Sequence, residues 1–159
     1  QTAIIGDHLI FNAPYLFRLI FLLIGHMESY QFLLEGIRLA SHQNSQGQRM
    51  MLINWWDLVS EKTLEEVFAD NWPGWEAEHA ALTETSLALH LFPELVDRSA
   101  IPEEKKFIRG PFRVYPLDPD DKPASGSFAD ARGASPDIGT ILANEILVRL
   151  AETIKLELA

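Results

Sequence analysis

The sequence contains no cysteine. Disulfide bonds, thiolate metal sites and a cysteine nucleophile are therefore excluded together. Any metal ion would have to be held by imidazole and carboxylate groups. The same absence is typical of cytoplasmic proteins, and we expect that location.

Positive charge is scarce as well. Thirteen Lys and Arg face 23 Asp and Glu, for a formal net charge of −10, and no block of five basic residues occurs. A surface of this sign repels phosphate backbones and anionic lipid headgroups. We therefore expect neither nucleic acid nor a membrane as a partner.

Long hydrophobic runs are missing too. The longest candidate, residues 15–24, is apolar except for Arg18 and has ten residues, which as a helix cannot cross a hydrocarbon core of about 30 Å. No basic region precedes this run and no small-residue cleavage site follows it, which argues against a signal peptide.

Common catalytic signatures are also absent. The chain has no GxGxxG, GxxxxGK[ST], HExxH or GxSxG, which narrows the field toward histidine and carboxylate chemistry. Its 159 residues, 47% hydrophobic and 23% charged, fit one folded domain with one core, so we predict a single domain over residues 1–159.

The first part of the chain reads as a strand, a helix and a second strand. The run LFRLIFLLI ends at Ile24, an amphipathic helix with apolar residues at i, i+3 and i+4 spacing ends near His42, and RMMLIN at 49–54 has strand length. This order predicts a right-handed βαβ unit, a parallel sheet and an α/β fold.

Further elements follow. Thr63 and Glu66 have the spacing of a capping box, which predicts a short helix to about residue 69. A second helix is predicted over 83–92, and in the Pro-, Asp- and Gly-rich segment 97–132 only FRVYP at 112–116 is strand-like. SPD at 135–137 starts a periodic run that predicts a helix of about twenty residues, packed on the sheet.

The pair His26 and Glu28 follows the first strand, in GHMESY. Ligands of open α/β sheets gather beyond the carboxyl ends of strands, and NWWD at 54–57 follows the second strand in the same way. Two residues separated by one place their side chains on the same side of an extended backbone, as ligands of one metal or of adjacent metals require. Such pairs also arise by chance, so spacing alone leaves both interpretations open.

All four tryptophans, at 55, 56, 72 and 75, lie within 21 residues and close to Glu78 and His79. They pack in the core, or they line a pocket for a flat polar or cationic substrate. His79 is a candidate general acid or base, with Glu78 as its neighbouring carboxylate.

Three other histidines are weaker candidates. We interpret His42, in a polar loop, and His90, inside a helix, as structural. Asp7 and His8 form a possible extra ligand pair.

The series GHMESYQFLLEGIRLA, LINWWDLV, GWEAEHAALTETSLALHLFPELVD and FRVYPLDPDDKPASGSFADARGAS, before the final helix, resembles the creatininase (creatinine amidohydrolase) family. It is most similar to the creatinine-hydrolysing members, because Trp56 and Trp75 match their substrate-enclosing tryptophans. The resemblance implies a three-layer αβα sandwich with a mostly parallel sheet, apparently incomplete at the N-terminus: residues 1–16 stay unassigned, and the chain matches the C-terminal portion of the family.

The resemblance also implies a function: metal-dependent hydrolysis of a cyclic amide, most simply creatinine to creatine. His26 and Glu28 would bind two divalent ions, zinc and/or manganese, and a metal-bound hydroxide would attack the carbonyl. His79 would act as the proton shuttle beside Glu78. Trp56, Trp75 and Met27 would contact the substrate, although Met27 replaces a common Tyr.

The resemblance also bears on oligomeric state, and two alternative functions stay open. Family members are hexamers, so a homo-oligomer is expected. The family's other metal ligands, a Glu-x-His pair and an Asp, belong to its N-terminal half. An alternative is therefore a catalytically silent domain that serves as a scaffold or assembly partner. A third is an acidic module that binds a small ligand through the Trp cluster without hydrolysis.

Overall fold

The structure, a computed structural model, describes residues 19–43, 49–108, 114–116 and 122–158. Its contacts divide the chain into two compact units, Gln1–Leu58 and Val59–Ala159. The unassigned residues 1–16, with the Asp7 and His8 pair, lie outside the described part of the chain.

The first unit contains the predicted βαβ arrangement. Strand β1 spans Leu19–Ile24, helix α1 spans Tyr30–Gln43 and strand β2 spans Arg49–Asn54. The strands pair in parallel, from Leu19 opposite Arg49 to Ile24 opposite Asn54. The α/β class is therefore confirmed, and both strands end at the same edge of the sheet.

The apolar pattern of the sequence accounts for how these elements pack. Ile24 in β1 is 1% exposed and Ile53 in β2 is 7% exposed. On α1, Gly36 and Ala40 are buried at the predicted i, i+4 spacing. The last residues of both strands are thus anchored in the core, which fixes the starting points of the two segments that follow them.

The second unit is helical in its described part. Helix α2 spans Glu61–Phe68, α3 spans Leu82–Leu91 and α4 spans Pro136–Leu158. The predicted helices over 83–92 and from 136 onward are confirmed. Helices α3 and α4 pack against each other closely, because Gly139 on α4 presents no side chain to the backbone of Ser86 on α3.

The start of α2 differs from the prediction. The cap is Ser60, whose Oγ accepts a hydrogen bond of 3.2 Å from Thr63 N, so Thr63 lies inside the first turn. Ser60 N in turn donates to Glu145 Oε1 on α4 at 3.2 Å. A serine with a non-helical backbone three residues before Thr63 is the better cap, because its side chain satisfies an amide that the helix leaves unpaired.

Helix α4 begins as the sequence predicts. Ser135 Oγ accepts a hydrogen bond of 3.2 Å from Ile138 N, Pro136 occupies the first turn and Asp137 lies at the positive end of the helix dipole. The helix has 23 residues. Among the described residues, no helix is both long enough and apolar enough to cross a membrane.

The segment between α3 and α4 is mainly irregular. Short 3-10 turns cover Pro93–Leu95 and Arg98–Ala100. Of the strand predicted at 112–116, residues 112 and 113 lie outside the described part, and residues 114–116 form no strand. Pro116 has no amide hydrogen to donate to a strand partner, which disfavours strand pairing there.

Candidate functional site

Four polar side chains follow the ends of β1 and β2, and we call them the strand-end group: His26, Glu28, Asn54 and Asp57. The paired register brings the carboxyl ends of both strands to one edge of the sheet. After β1 the chain turns into a 3-10 helix, Met27–Ser29, in which Ser29 N donates to His26 O at 3.0 Å. This turn holds His26 and Glu28 at the edge that the sequence predicts.

The spacing of His26 and Glu28 suits a shared metal ion. His26 Nε2 lies 3.7 Å from Glu28 Oε2, and their side chains are 45% and 60% exposed. Two ligand atoms on a tetrahedral zinc ion are about 3.4 Å apart, given bonds of about 2.1 Å. Imidazole nitrogen and carboxylate oxygen are also ligands that zinc and manganese accept. The pair therefore fits a divalent metal in ligand type and in distance.

The rest of a ligand set is not found among the described residues, which contain no group of three or more His, Asp or Glu side chains able to hold a metal ion. Two protein ligands supply half of a tetrahedral set. His26 and Glu28 therefore form a partial site in the described part of the chain.

Asn54 and Asp57 complete the strand-end group. Asn54 Nδ2 donates to Asp57 Oδ2 at 2.8 Å, whereas Asn54 Oδ1 is buried and accepts no hydrogen bond from the described residues. A buried amide oxygen normally accepts a hydrogen bond, and the described residues do not supply the donor. The sequence places NWWD at a strand end but does not single out Asn54.

Met27 and Trp56 lie in the same unit as the pair. Met27 starts the turn between the two candidate ligands and is half-buried. Trp56 is half-buried and packs edge-to-face on the buried Trp55, with ring centroids 6.0 Å apart. Both candidate substrate contacts therefore follow the same strand ends as the candidate metal ligands.

Trp75 lies in the second unit. Its ring packs edge-to-face on Trp72 at 5.0 Å, and Trp72 stacks on Phe68 at 5.5 Å. The four tryptophans thus form two pairs, one in each unit, and the two rings of each pair pack edge-to-face. Trp56 and Trp75 are both only half-buried, so each can pack on its partner ring and still contact a ligand.

The second unit also contains the segment of residues 78–84, which we call the His79 loop. Glu78 is only 4% exposed. Its Oε1 accepts three hydrogen bonds: from Thr83 N at 2.6 Å, from Thr83 Oγ1 at 2.5 Å and from Glu84 N at 3.1 Å. Glu78 therefore caps the start of α3 from outside the helix.

The other carboxylate oxygen of Glu78, Oε2, is buried and has no hydrogen-bond partner among the described residues. Burial raises the pKa of Glu78 to about 7, even though the hydrogen bonds from Thr83 and Glu84 act in the opposite direction. A carboxyl group with this pKa exchanges a proton near neutral pH, as a proton-transfer site requires.

Ala80 follows His79 with a φ of +52°, in the left-handed region that disfavours residues with a Cβ. Its amide donates to Glu84 Oε2 at 2.6 Å, and its carbonyl oxygen lies 3.0 Å from Ser127 Oγ, whose hydrogen it shares with Ala129 O at 2.7 Å. The backbone immediately after His79 is therefore held from two directions in a conformation it would not adopt alone.

His79 itself is half-buried and contacts Phe128, a residue that the sequence does not single out. Phe128 N donates to His79 O at 2.9 Å, and the two ring centroids are 4.8 Å apart. Phe128 belongs to a small buried cluster with Ala77, Ala81 and Ala129. The only sequence signal for this contact is the long irregular segment itself, since such loops are often functional.

Two further described histidines, His42 and His90, lie on helices. His90 Nδ1 lies 3.0 Å from Thr140 Oγ1, which links α3 to α4, and His42 is exposed near the end of α1. Both placements are consistent with the structural roles predicted for them.

The sequence-predicted residues thus divide between the two units. His26, Met27, Glu28 and Trp56 belong to the first unit, and Trp75, Glu78 and His79 belong to the second. Each set is locally organised. The first holds the candidate metal ligands, and the second holds the candidate proton-transfer groups.

Comparison with known proteins identifies the relatives. A family model described as creatinine amidohydrolase, of the creatininase family, matches residues 12–154. Creatinine amidohydrolase of Pseudomonas putida is 30% identical over 145 residues, which are 88% of this chain and 56% of that protein.

Solved structures agree with this match. A mutant creatininase complexed with creatine has a TM-score of 0.88 at 28% identity, over 98% of this chain and 63% of its own. The Zn-Zn type of the mutant gives 0.89 at 28%, over 98% and 62%. A manganese creatininase gives 0.83 at 29%, over 98% and 61%. The chain therefore spans little more than half of these relatives.

Proposed function

The chain belongs to the creatininase family, and on that premise we propose that it hydrolyses a cyclic amide, with creatinine as the substrate and creatine as the product. The observation that carries the proposal is the pairing of His26 with Glu28, 3.7 Å apart at the edge where both strands end. The names of its relatives, which include creatinine amidohydrolase and a creatine complex, support this choice of substrate.

In this proposal His26 and Glu28 hold divalent metal, zinc and/or manganese, two ions in the complete site. When bound, such ions lower the pKa of a water molecule and polarise the amide carbonyl. The relatives solved as a Zn-Zn type and with manganese support these metals. Asn54 Oδ1, which is buried and accepts no hydrogen bond from the described residues, accepts one from a further group of the assembled site.

His79 gives a proton to the ring nitrogen that leaves when the amide bond breaks. Histidine is the side chain that enzymes use most often as a general acid in such a step. Glu78, the residue before His79, is the second proton-transfer group in this proposal. Its buried carboxyl can exchange a proton near neutral pH, because burial raises its pKa to about 7.

Trp56, Trp75 and Met27 contact the substrate. Creatinine is flat and carries a guanidino group, so indole faces bind it by stacking and by cation–π attraction. The net charge of −10 favours a neutral or cationic small molecule over an anionic one. Homo-oligomeric assembly and a cytoplasmic location are part of the same proposal.

The test separates metal binding from proton transfer. His26→Ala and Glu28→Ala should abolish creatinine hydrolysis together with bound metal. His79→Ala should keep the metal and lower kcat by about 10²–10⁴. His42→Ala, which removes an exposed imidazole from the first unit, is the matched control and should keep both. An unchanged rate in His79→Ala would show that the role assigned to His79 is wrong.

A second candidate is a catalytically silent member of the family that acts as a scaffold or assembly partner. It is favoured by the ligand set, since the described residues supply no third His, Asp or Glu to the pair. It predicts a folded protein without bound metal or turnover. Ligand binding that survives a chelator would point instead to a non-hydrolytic binding module.

A further inference from the structure

We propose that Ser127 and Phe128 are positioning residues for His79, and that they hold its imidazole at the place where it gives up its proton. The inference rests on the function proposed above, because it concerns the same site. It adds a segment, the stretch of chain just before α4, that neither the sequence motifs nor the family match assigns to the site.

The first step concerns the backbone of His79. Phe128 N donates to His79 O at 2.9 Å. The Ser127 hydroxyl lies 3.0 Å from the carbonyl oxygen of the next residue, Ala80, and 2.7 Å from that of Ala129, so its one hydrogen is shared between these two acceptors. Two consecutive carbonyl groups of the His79 loop are thus bound by two consecutive residues of a distant segment. The segment therefore fixes the direction in which the chain leaves His79.

The second step concerns strain. Ala80 has a φ of +52°, which an alanine adopts only when surrounding contacts impose it. Ser127 holds its carbonyl and Glu84 holds its amide. An imposed conformation next to His79 indicates that the position of His79 is set by these contacts and not by the local sequence.

The third step concerns the ring. The centroid of the Phe128 ring lies 4.8 Å from that of the imidazole, with the planes tilted by 46°. Phe128 is itself 6% exposed and is held by Phe107, whose ring lies 5.0 Å away and whose amide donates to Phe128 O at 2.7 Å. A ring fixed in this way limits the orientations that the His79 imidazole can adopt.

The chain offers a matched pair of variants for the test. Phe128→Leu and Phe107→Leu each remove one ring from the same cluster, and Phe128 is the one whose ring lies 4.8 Å from the His79 imidazole. In Phe128→Leu we expect kcat for creatinine to fall about tenfold with KM within twofold, because misplacement by a fraction of an ångström slows proton transfer. In Phe107→Leu, which removes a neighbour of Phe128 but leaves the Phe128 ring beside the imidazole, kcat should fall by less than in Phe128→Leu, with KM within twofold. Equal losses of kcat in the two variants would overturn the proposal.

A second measurement does not depend on turnover. The imidazole signals of His79, assigned by NMR with the variant His79→Gln, should shift or broaden in Ser127→Ala, which removes the hydroxyl that contacts the Ala80 carbonyl. They should be unchanged in Ser99→Ala, which removes an exposed serine hydroxyl elsewhere in the same unit. Unchanged His79 signals in Ser127→Ala would overturn the positioning role. A wild-type protein without turnover but with the expected NMR shift would reject the proposed function and retain this role.

Discussion

At the scale of single residues, Glu78 shows how burial and hydrogen bonding oppose each other. One oxygen accepts three hydrogen bonds and the other accepts none from the described residues, in a side chain that is 4% exposed. The desolvation cost of the charged form outweighs the hydrogen bonds, so the pKa rises from 4.5 to about 7. Folding therefore depends on pH through this residue.

The direction in which stability changes with pH follows from how many protons Glu78 binds in the folded and unfolded states. Between pH 4.5, the ordinary pKa, and about 7, the folded state binds more protons at Glu78 than the unfolded state does. The free energy of unfolding therefore decreases as pH rises through this window, by at most about 3 kcal/mol from Glu78. Glu78→Gln keeps an acceptor oxygen but cannot ionise, so this decrease should disappear.

Urea denaturation of the wild type and of Glu78→Gln at several values between pH 5 and 8 measures the effect. We expect the stability difference to shift in favour of the variant as the pH rises. Glu94→Gln removes an exposed carboxylate from the same unit and serves as the control. Parallel curves for the wild type and Glu78→Gln would show that Glu78 is charged throughout this range.

Single residues also show what sequence reasoning reaches and what it misses. The placement of His26 and Glu28 after a strand was predictable, because their spacing and their place after an apolar run are local properties. The contacts of His79 with Phe128 were not, because the two residues are far apart in the chain and no sequence motif links them. Asn54 was visible only as part of NWWD, since the burial of its side-chain oxygen, which has no donor among the described residues, is a feature of the folded state.

At the scale of elements, the crossing of α3 and α4 depends on Gly139. A Cβ at this position would overlap the carbonyl oxygen of Ser86 and would lie 2.7 Å from His90 Cβ. Backbone cannot move aside as a flexible side chain can, so the helices must separate to admit a methyl group. The close approach of the two helices follows from one missing side chain.

Gly139→Ala should therefore destabilise the protein by about 1–3 kcal/mol, although alanine has the better helix propensity by about 1 kcal/mol. Chemical denaturation of the variant measures this change. Asn144→Ala, at an exposed position of the same helix, is the control and should have a small effect. An equal or higher stability of Gly139→Ala would contradict the close crossing.

The sequence was most informative about the positions of the helices and strands. Periodicity and cap residues predicted β1, α1, β2, α3 and α4 with small errors at their ends. The start of α2 was misplaced because Thr63 and Glu66 imitate a capping box, whereas Ser60 makes the cap. The crossing at Gly139 was beyond prediction, since a glycine inside a helix has no pattern that reveals its neighbour.

At the scale of the whole molecule, the family assignment combines all of these features. The match over residues 12–154 and the TM-scores of up to 0.89 establish the creatininase fold. The chain covers 56% of its curated relative, so activity has to be demonstrated on this chain itself. The single domain over residues 1–159 stays a prediction.

The central claim is that this chain binds catalytic metal and hydrolyses creatinine. Its most direct test is elemental analysis of metal per chain, on protein purified without added metal, with creatinine hydrolysis assayed on the same sample. We predict about two zinc or manganese ions per chain together with turnover. A well-folded protein with neither metal nor turnover would contradict the claim and would identify the chain as the silent member of its family.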